Sequence, residues 1–346
     1  MVAKTNSVSS AATKTITVQG RCVGRPVLIE GLFNVVITGV TPSGGCPADF
    51  PANYKSLKAA LTSTIARQDP PGTLRTGSNG EVIKVRNSSR VTIKFLNIRD
   101  GRGLAVNPST ISHDDGLDFK TSQGGLIFCN CITNNEEGID VDAGSCNQVI
   151  QNLVIENDNG IRASGGTKSN IYRSNASVNN GDTPFESGAS DPSGRHDGLL
   201  ISQSATLNNF ENNFMIFDST SAMGCAGVGV PFTCCTGPMT GNCKTDDGLQ
   251  LFGANNNCIV NNTITGNGGD PAAADPPGTG ACEVVTSSNN KIDCNTMTGN
   301  VKKDMVTPSN NCRIISGTGN TGSNVGGPAC TSASCPAPSC TITPIP

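Results

Sequence analysis

The sequence predicts an all-β protein built as a single parallel β-helix, with coils of about 22 residues, an asparagine ladder and one short inserted helix. Three observations carry this expectation. An acidic or Asn-rich turn followed by Gly and an alternating strand recurs as HDDGLDF (113–119), EEGIDV (136–141), NDNGIRA (157–163), RHDGLLI (195–201) and TDDGLQL (245–251). A second pattern, apolar-x-x-Asn-x-apolar-x-x-Asn, recurs as Ile127/Asn130/Ile132/Asn135, Val149/Asn152/Val154/Asn157, Ile259/Asn262/Ile264/Asn267 and Ile292/Asn295/Met297/Asn300, with weaker copies starting at Tyr172 and Phe210. The composition is the third: 346 residues hold 41 Gly and 37 Asn but no Trp, 2 Tyr and 15% charged residues, which suits many short strands joined by tight turns.

Gly116, Gly138 and Gly160 stand 22 residues apart. That unit is too short for a propeller blade or a helical repeat, and it fits one β-helix coil. Coils stacked at about 4.8 Å bury their inward side chains in one column, and Asn at a fixed corner of each coil makes a ladder of amide hydrogen bonds. Glycine at the other corner is expected to serve a backbone of positive φ.

Taken in order, KTITVQG (14–20), PVLIEG (26–31) and NVVITG (34–39) form the first strands. The segment 51–68 carries Tyr54, Leu57, Leu61 and Ile65 at helical spacing and predicts an amphipathic helix packed on an early coil. EVIKV (81–85) and RVTIKFLNI (90–98) resume the coils. Loop insertions at about 181–194, 219–244 and 268–279 each fall between the second Asn of one repeat and the Gly turn of the next, so they are expected to project from one edge and wall a groove. The helix is expected over 14–320, and the Cys/Pro/Gly-rich segment 321–346 as a cap or stalk.

Sixteen cysteines without CxxC spacing point to disulfides and an oxidising compartment rather than to zinc. The loop and tail cysteines, such as Cys225, Cys234, Cys235, Cys330, Cys335 and Cys340, read as staples. Cys129, Cys131, Cys258 and Cys294 lie in strand-like runs, where a disulfide and a reduced core residue are equally open readings. The expected location is extracellular or cell-surface, with no signal peptide in the N-terminal stretch as given.

On these repeats the chain resembles the right-handed parallel β-helix proteins of the pectin-lyase-like superfamily, over 14–320. The resemblance specifies fold far better than activity, since that superfamily includes lyases, hydrolases, epimerases and adhesins.

In the strand after each repeat Gly the first residue points inward and the second outward. The outward column is Asp118, Asp140, Arg162, Leu200 and Gln250, and two residues further along it is Lys120, Asp142, Ser164, Ser202 and Phe252. Two chemistries use such a face. In β-elimination from an acidic polysaccharide, Ca²⁺ held by Asp118, Asp140 and Asp142 neutralises a uronate, with Lys120 or Arg162 as base or anion clamp. This matches pectate-lyase-type enzymes in residue types. In glycoside hydrolysis two carboxyls act as acid and base. Asp115 and Glu137 stand where polygalacturonase-type enzymes carry acidic motifs, although Asn159-Gly160 replaces their Gly-His-Gly and no Arg-x-Lys follows. Arg195, His196 and Asp197 are candidate substrate contacts.

The expected function is therefore binding or cleavage of an acidic extracellular polysaccharide, with Ca²⁺ as the one cofactor considered. The alternative is a non-catalytic surface, adhesin or filament protein that self-assembles, a reading favoured by the scarcity of aromatic rings for stacking sugars. Acidic turns that merely keep an edge soluble are the simplest account of the charge pattern. A net charge of -3 with pI near 5.4 makes nucleic acid an unlikely partner, and no apolar run reaches the ~18 residues of a membrane span.

Overall fold

The computed structural model describes residues 12–67, 81–101, 115–157, 159–180, 197–216, 248–266, 282–298, 300, 313–314, 318–325 and 334–340. Their strands, β1 to β27 in chain order, form three parallel nine-stranded sheets, and each strand pairs with the strand three further along. β1 (Lys14–Thr17) opens sheet A, β2 (Arg21–Gly24) sheet B and β3 (Val27–Glu30) sheet C. The molecule is a right-handed parallel β-helix of nine coils, counted here by their sheet C strands.

One apolar column runs down the axis. Ile37, Ile93, Ile127, Val149, Tyr172, Phe210, Ile259 and Ile292 follow one another in register on sheet A, and all are buried. Stacking at this register places like on like. Tyr172 and Phe210 therefore lie face to face at 4.5 Å between ring centroids.

Three columns of asparagine bond the corners. One runs through Asn130, Asn152, Asn175, Asn213, Asn262, Asn295 and Asn324, each Nδ2 donating to the next Oδ1. A shorter one joins Asn135, Asn157 and Asn180. The third, through Asn147, Asn170, Asn208, Asn257, Asn290 and Asn320, escaped the sequence motif. Asn267, which the motif included, lies outside the described residues.

The expectation for the repeat glycines is corrected. Gly116, Gly138, Gly160 and Gly198 do not adopt positive φ; what they lack is room. A Cβ on Gly116 would stand 2.5 Å from Ile132 Cγ2 and 2.7 Å from the Gly138 carbonyl oxygen, and one on Gly138 would overlap Val154 Cγ1. The positive-φ corners are instead held by non-glycine residues immediately before ladder asparagines, among them Cys129, Asn134, Gln151, Glu156, Ser174 and Asn212. Gly138→Ala is accordingly expected to cost about 3 kcal/mol, the upper end for overpacking a filled interior. Gly24→Ala, whose Cβ meets nothing within 4 Å, is expected to be neutral within about 0.5 kcal/mol. Urea denaturation of the two variants checks the contrast.

The inserted helix is shorter than expected and sits elsewhere. α1 spans Tyr54–Ala60, and Thr64–Arg67 is β5 of sheet B, whose Ile65 points into the main column opposite Ile98. Tyr54, Leu57 and Leu61 belong to a second core with Phe50, Cys129, Cys131, Leu153, Ile155, Ala176 and Val178. The helical spacing of Ile65 was thus a coincidence of two cores meeting at one turn. α1 covers the outer face of sheet B at β14 (Leu153–Ile155), in the middle of the molecule rather than on an early coil, and the Cys46–Cys129 disulfide pins the segment there.

The outer face of sheet A is crossed by 334–340, tied by Cys258–Cys335 and Cys146–Cys340 and by Asn209 Nδ2 donating to the Pro336 carbonyl at 2.7 Å. Cys129 and Cys258 are thus disulfide-bonded, as are Cys131 and Cys294, which decides the open reading of these four. Among the described cysteines only Cys22 is free. Disulfides of this number belong to an oxidising environment. No helix among the described residues is long and apolar enough to cross a membrane.

Candidate functional site

With described segments lying over sheets A and B, the outer face of sheet C is where the titratable groups gather. Its strands β6 (Ile83–Arg86), β9 (Leu117–Lys120), β12 (Glu137–Asp142), β15 (Asn159–Ser164), β18 (Leu199–Ser202), β21 (Leu249–Phe252) and β24 (Cys282–Val285) bring Lys84, Asp118, Asp140, Arg162, Leu200, Gln250 and Glu283 into one register column. The chain runs directly from sheet B to sheet C before β12 and β15. Before β6, β9, β18, β21 and β24 it takes long connections, and all three expected insertions (181–194, 219–244, 268–279) fall in these. Those insertions, and any groove they wall, lie outside the described residues.

Three residues before each outward position stand Glu81, Asp115, Glu137, Asn159 and Asp197. Glu81 pairs with Lys84, and Lys84 Nζ also lies 3.3 Å from Asp118 Oδ2. Asp115, Asp118 and Asp140 each bring a carboxylate oxygen to within 4.8 Å of the others. Arg162 Nη1 donates to Glu137 Oε1 at 2.7 Å, Ser164 Oγ donates to Asp140 Oδ1 at 3.2 Å, and Lys120 Nζ meets Asp142 Oδ2 at 2.7 Å.

The expected solvent-facing column is mostly buried: Asp118 is 5% exposed and Asp140 8%. That burial controls the chemistry. Loss of hydration pushes the Asp118 carboxyl up to about 6, with the charge of Lys84 restraining the rise. Asp140 is pushed up to about 8, again by burial, with Arg162 opposing and the neighbouring carboxylates reinforcing. Asp115 is held well above the ordinary carboxyl range by burial and by Glu137. Burial opposes the charge of Lys84, but its bonds to Glu81 and Asp118 outweigh this and raise its pKa. Lys120 is raised by its hydrogen bond to Asp142. Burial also works against the charge on Arg162, yet Asp140 and Glu137 outweigh it and strengthen its hold on the proton.

Of the residues singled out from sequence, Asp115, Asp118, Asp140, Glu137 and Arg162 come together. Lys120 and Asp142 form a separate, more exposed pair beside them, so the set of three converging carboxylates contains Asp115 in place of Asp142. Asp197 is fully buried, its backbone N–H donating to Asn159 Oδ1 at 3.0 Å; Arg195 and His196 lie outside the described residues. Sequence reasoning missed Glu81 and Lys84. The signal was available: EVIK (81–84) repeats the acid-x-x-polar spacing of Asp115/Asp118 and Glu137/Asp140, with Val82 at the place of the glycine.

Three hard oxygen donors at this spacing, with Asp118 Oδ1 lacking a hydrogen-bond partner among the described residues, fit a Ca²⁺ ion, which takes six to eight oxygens from carboxylates and water.

No family model matches the sequence and no curated protein matches it. Among solved structures the chain is similar to a pectin methylesterase from Aspergillus niger, with 10% identity over 91% of this chain and 79% of that one and a TM-score of 0.44. It is also similar to a tailspike protein of an Escherichia coli bacteriophage, with 11% identity over 82% and 31% of the chains and a TM-score of 0.48. A third likeness is to a periplasmic alginate epimerase, with 11% identity over 91% and 64% and a TM-score of 0.40. The chain spans less than two thirds of the last two. Its place in the parallel β-helix class rests on its own three sheets and their unbroken register.

Proposed function

We propose that this chain is an exported protein that cleaves an acidic polysaccharide by glycoside hydrolysis on the outer face of sheet C, with Asp140 and Asp118 as the carboxyl pair. The observation that carries the reading is their placement side by side on successive coils, where burial raises one to about 8 and the other to about 6. Neighbouring titratable groups pushed apart in this way mark an acid and a base. Near neutral pH Asp140 keeps its proton for the glycosidic oxygen, while Asp118 is ionised beside Lys84. One oxygen of each lies within 4.8 Å of the other, short of the ~6.5 Å or more that leaves room for a water, which favours the retaining arrangement. Asp118 then bonds to the anomeric carbon as the leaving oxygen takes the proton of Asp140. Asp140 next deprotonates the water that releases the sugar. Arg162 and Lys120 stay cationic, and the buried Arg162 Nε has no hydrogen-bond partner among the described residues, so they serve as anion clamps for a uronate.

The test is incubation with polygalacturonate, alginate and glucuronate-containing polymers, with and without chelator. New reducing ends without unsaturated product, undiminished by chelator, are expected. Unsaturated uronate appearing in the ultraviolet would overturn hydrolysis.

A second reading is Ca²⁺-assisted β-elimination, favoured by the convergence of Asp115, Asp118 and Asp140. The ion would neutralise the uronate carboxylate and acidify its C5 proton. Lys120 and Arg162 are poor bases for it, because both hold their protons more firmly than usual. Cation binding has its own readout. Protons compete for these carboxylates, so Ca²⁺ at about 100 times its Kd is expected to stabilise the fold by about 2.7 kcal/mol at pH 8 and by much less at pH 5. Thermal melts at both pH values check this. Silence in every assay, with Asp140→Ala and Arg162→Ala unchanged in any glycan binding, would leave a non-catalytic surface or filament role.

A further inference from the structure

We infer that the site continues toward the C-terminal coils as an arm, formed by Leu200, Gln250 and Glu283, that accepts an uncharged sugar of the same polymer. The inference rests on the polysaccharide reading above and adds a selection rule to it. Leu200 follows Arg162 in the register column, Gln250 follows Leu200 and Glu283 follows Gln250. Gln250 is 7% exposed and its Nε2 donates to Glu283 Oε2 at 2.9 Å. A carboxylate only accepts, so this bond fixes the amide with its nitrogen toward Glu283. The carbonyl Oε1 is left buried and without a partner among the described residues, which costs free energy unless a ligand donates to it. A sugar hydroxyl is such a donor, and Glu283 beside the amide disfavours a sugar that also carries a carboxylate.

The same pattern of orphaned atoms recurs along the column. Asp118 Oδ1 and Arg162 Nε are also buried and unpartnered, two coils apart, and Gln250 Oε1 comes two coils after Arg162, each step about 10 Å at the strand spacing. The character of the column changes along this line. Lys120 and Arg162 supply positive charge at the third and fifth coils. Beyond them Leu200, 6% exposed, offers an apolar floor, and Glu283 repels a second carboxylate. The substrate class that fits is therefore a heteropolymer in which a uronate is joined to neutral sugars, not a polyuronate charged at every residue.

Two probes test this: oligogalacturonate, charged at every residue, and oligosaccharides of gellan, in which a glucuronate is followed by neutral sugars. Binding is measured by calorimetry for the parent chain, Glu283→Gln and Gln250→Leu, each checked for an unchanged melting temperature. The parent is expected to favour the gellan oligomer by roughly five- to tenfold, the scale of one unfavourable charge contact. Glu283→Gln is expected to close that gap by raising affinity for oligogalacturonate. Gln250→Leu is expected to weaken the gellan oligomer by roughly tenfold, the loss of one buried hydrogen bond, and to leave oligogalacturonate unchanged. Equal affinities in the parent, or a gap that Glu283→Gln leaves intact, overturn the arm. If both oligomers are bound and cleaved with dependence on Asp140 yet without discrimination, the arm alone fails. If neither is bound, the polysaccharide reading fails and the arm falls with it.

Discussion

Asp140→Asn is expected to lower kcat by about 10²–10⁴-fold, the usual worth of a positioned proton donor. The side chain keeps its size and can still accept from Ser164 Oγ, so folding and KM are expected to change little. The pH profile distinguishes this from a packing defect. In the parent chain, cleavage requires Asp118 ionised and Asp140 protonated, which gives a bell with limbs near 6 and 8 that belong to the interacting pair rather than to either residue alone. Asn at 140 has no proton to lose, so the alkaline limb disappears from the residual activity. Lys84→Met moves the acid limb upward, because Lys84 is the cation that restrains the rise of Asp118. A profile that keeps both limbs in Asp140→Asn sinks the assignment.

The same carboxyls tie stability to pH. Asp115, Asp118 and Asp140 bind protons more tightly in the folded chain than in the unfolded one, where an aspartyl carboxyl titrates near 4. Between that range and about 8 the native state therefore holds more protons, and unfolding free energy falls as pH rises. Stability contributed by these groups is fully present below the unfolded pKa and is lost as pH passes through 6 for Asp118 and 8 for Asp140. A cation bound by the trio would offset the loss at high pH, which links this slope to the Ca²⁺ melts described above.

Much of the coil architecture was legible in the sequence because a β-helix repeats its environment. One register partner sits above another, so the requirement at Ile127 is also the requirement at Val149 and at Ile93, and the pattern prints itself every 22 or 23 residues where no insertion intervenes. The third asparagine column had the same print: Asn147, Asn152 and Asn157 stand five residues apart, as do Asn170, Asn175 and Asn180. A motif anchored on two asparagines hid the third. Two features were illegible for physical reasons. The role of the repeat glycines depends on where Val154 and Ile132 project from the neighbouring strand, which no local pattern records. The protonation of Asp118 and Asp140 depends on burial of a column that alternation marks as outward. Residue types thus predicted a site on the outward face, while the division of labour among its carboxyls had to come from distances.

Asn152→Ala is expected to destabilise the protein by about 3 kcal/mol or more. The Asn152 side chain serves five bonds. Its Oδ1 accepts the backbone N–H of Asn130 at 3.1 Å and the Asn130 side-chain amide at 3.0 Å. Its Nδ2 donates to the carbonyls of Ile127 and Ile150 and to Asn175 Oδ1. Truncation strands donors above and acceptors below in a corner that is fully buried, and each unsatisfied buried group costs about 1–3 kcal/mol. Some of this is recovered if a water enters the vacated corner, which sets the lower figure. Gln148→Ala, an exposed change one corner earlier, is expected to stay within about 0.5 kcal/mol. Because each coil's ladder bonds only to its neighbours, the damage is local in origin but lies between the coil of Asp118 and that of Arg162. Asn152→Ala is therefore expected to lower cleavage as well as the urea midpoint, whereas the same truncation at Asn290, bonded to Asn320 near the last coil, lowers the midpoint and spares cleavage. Equal loss of activity in the two variants would mean that the columns act as one rigid unit and that the site depends on the whole stack rather than on its adjacent rungs.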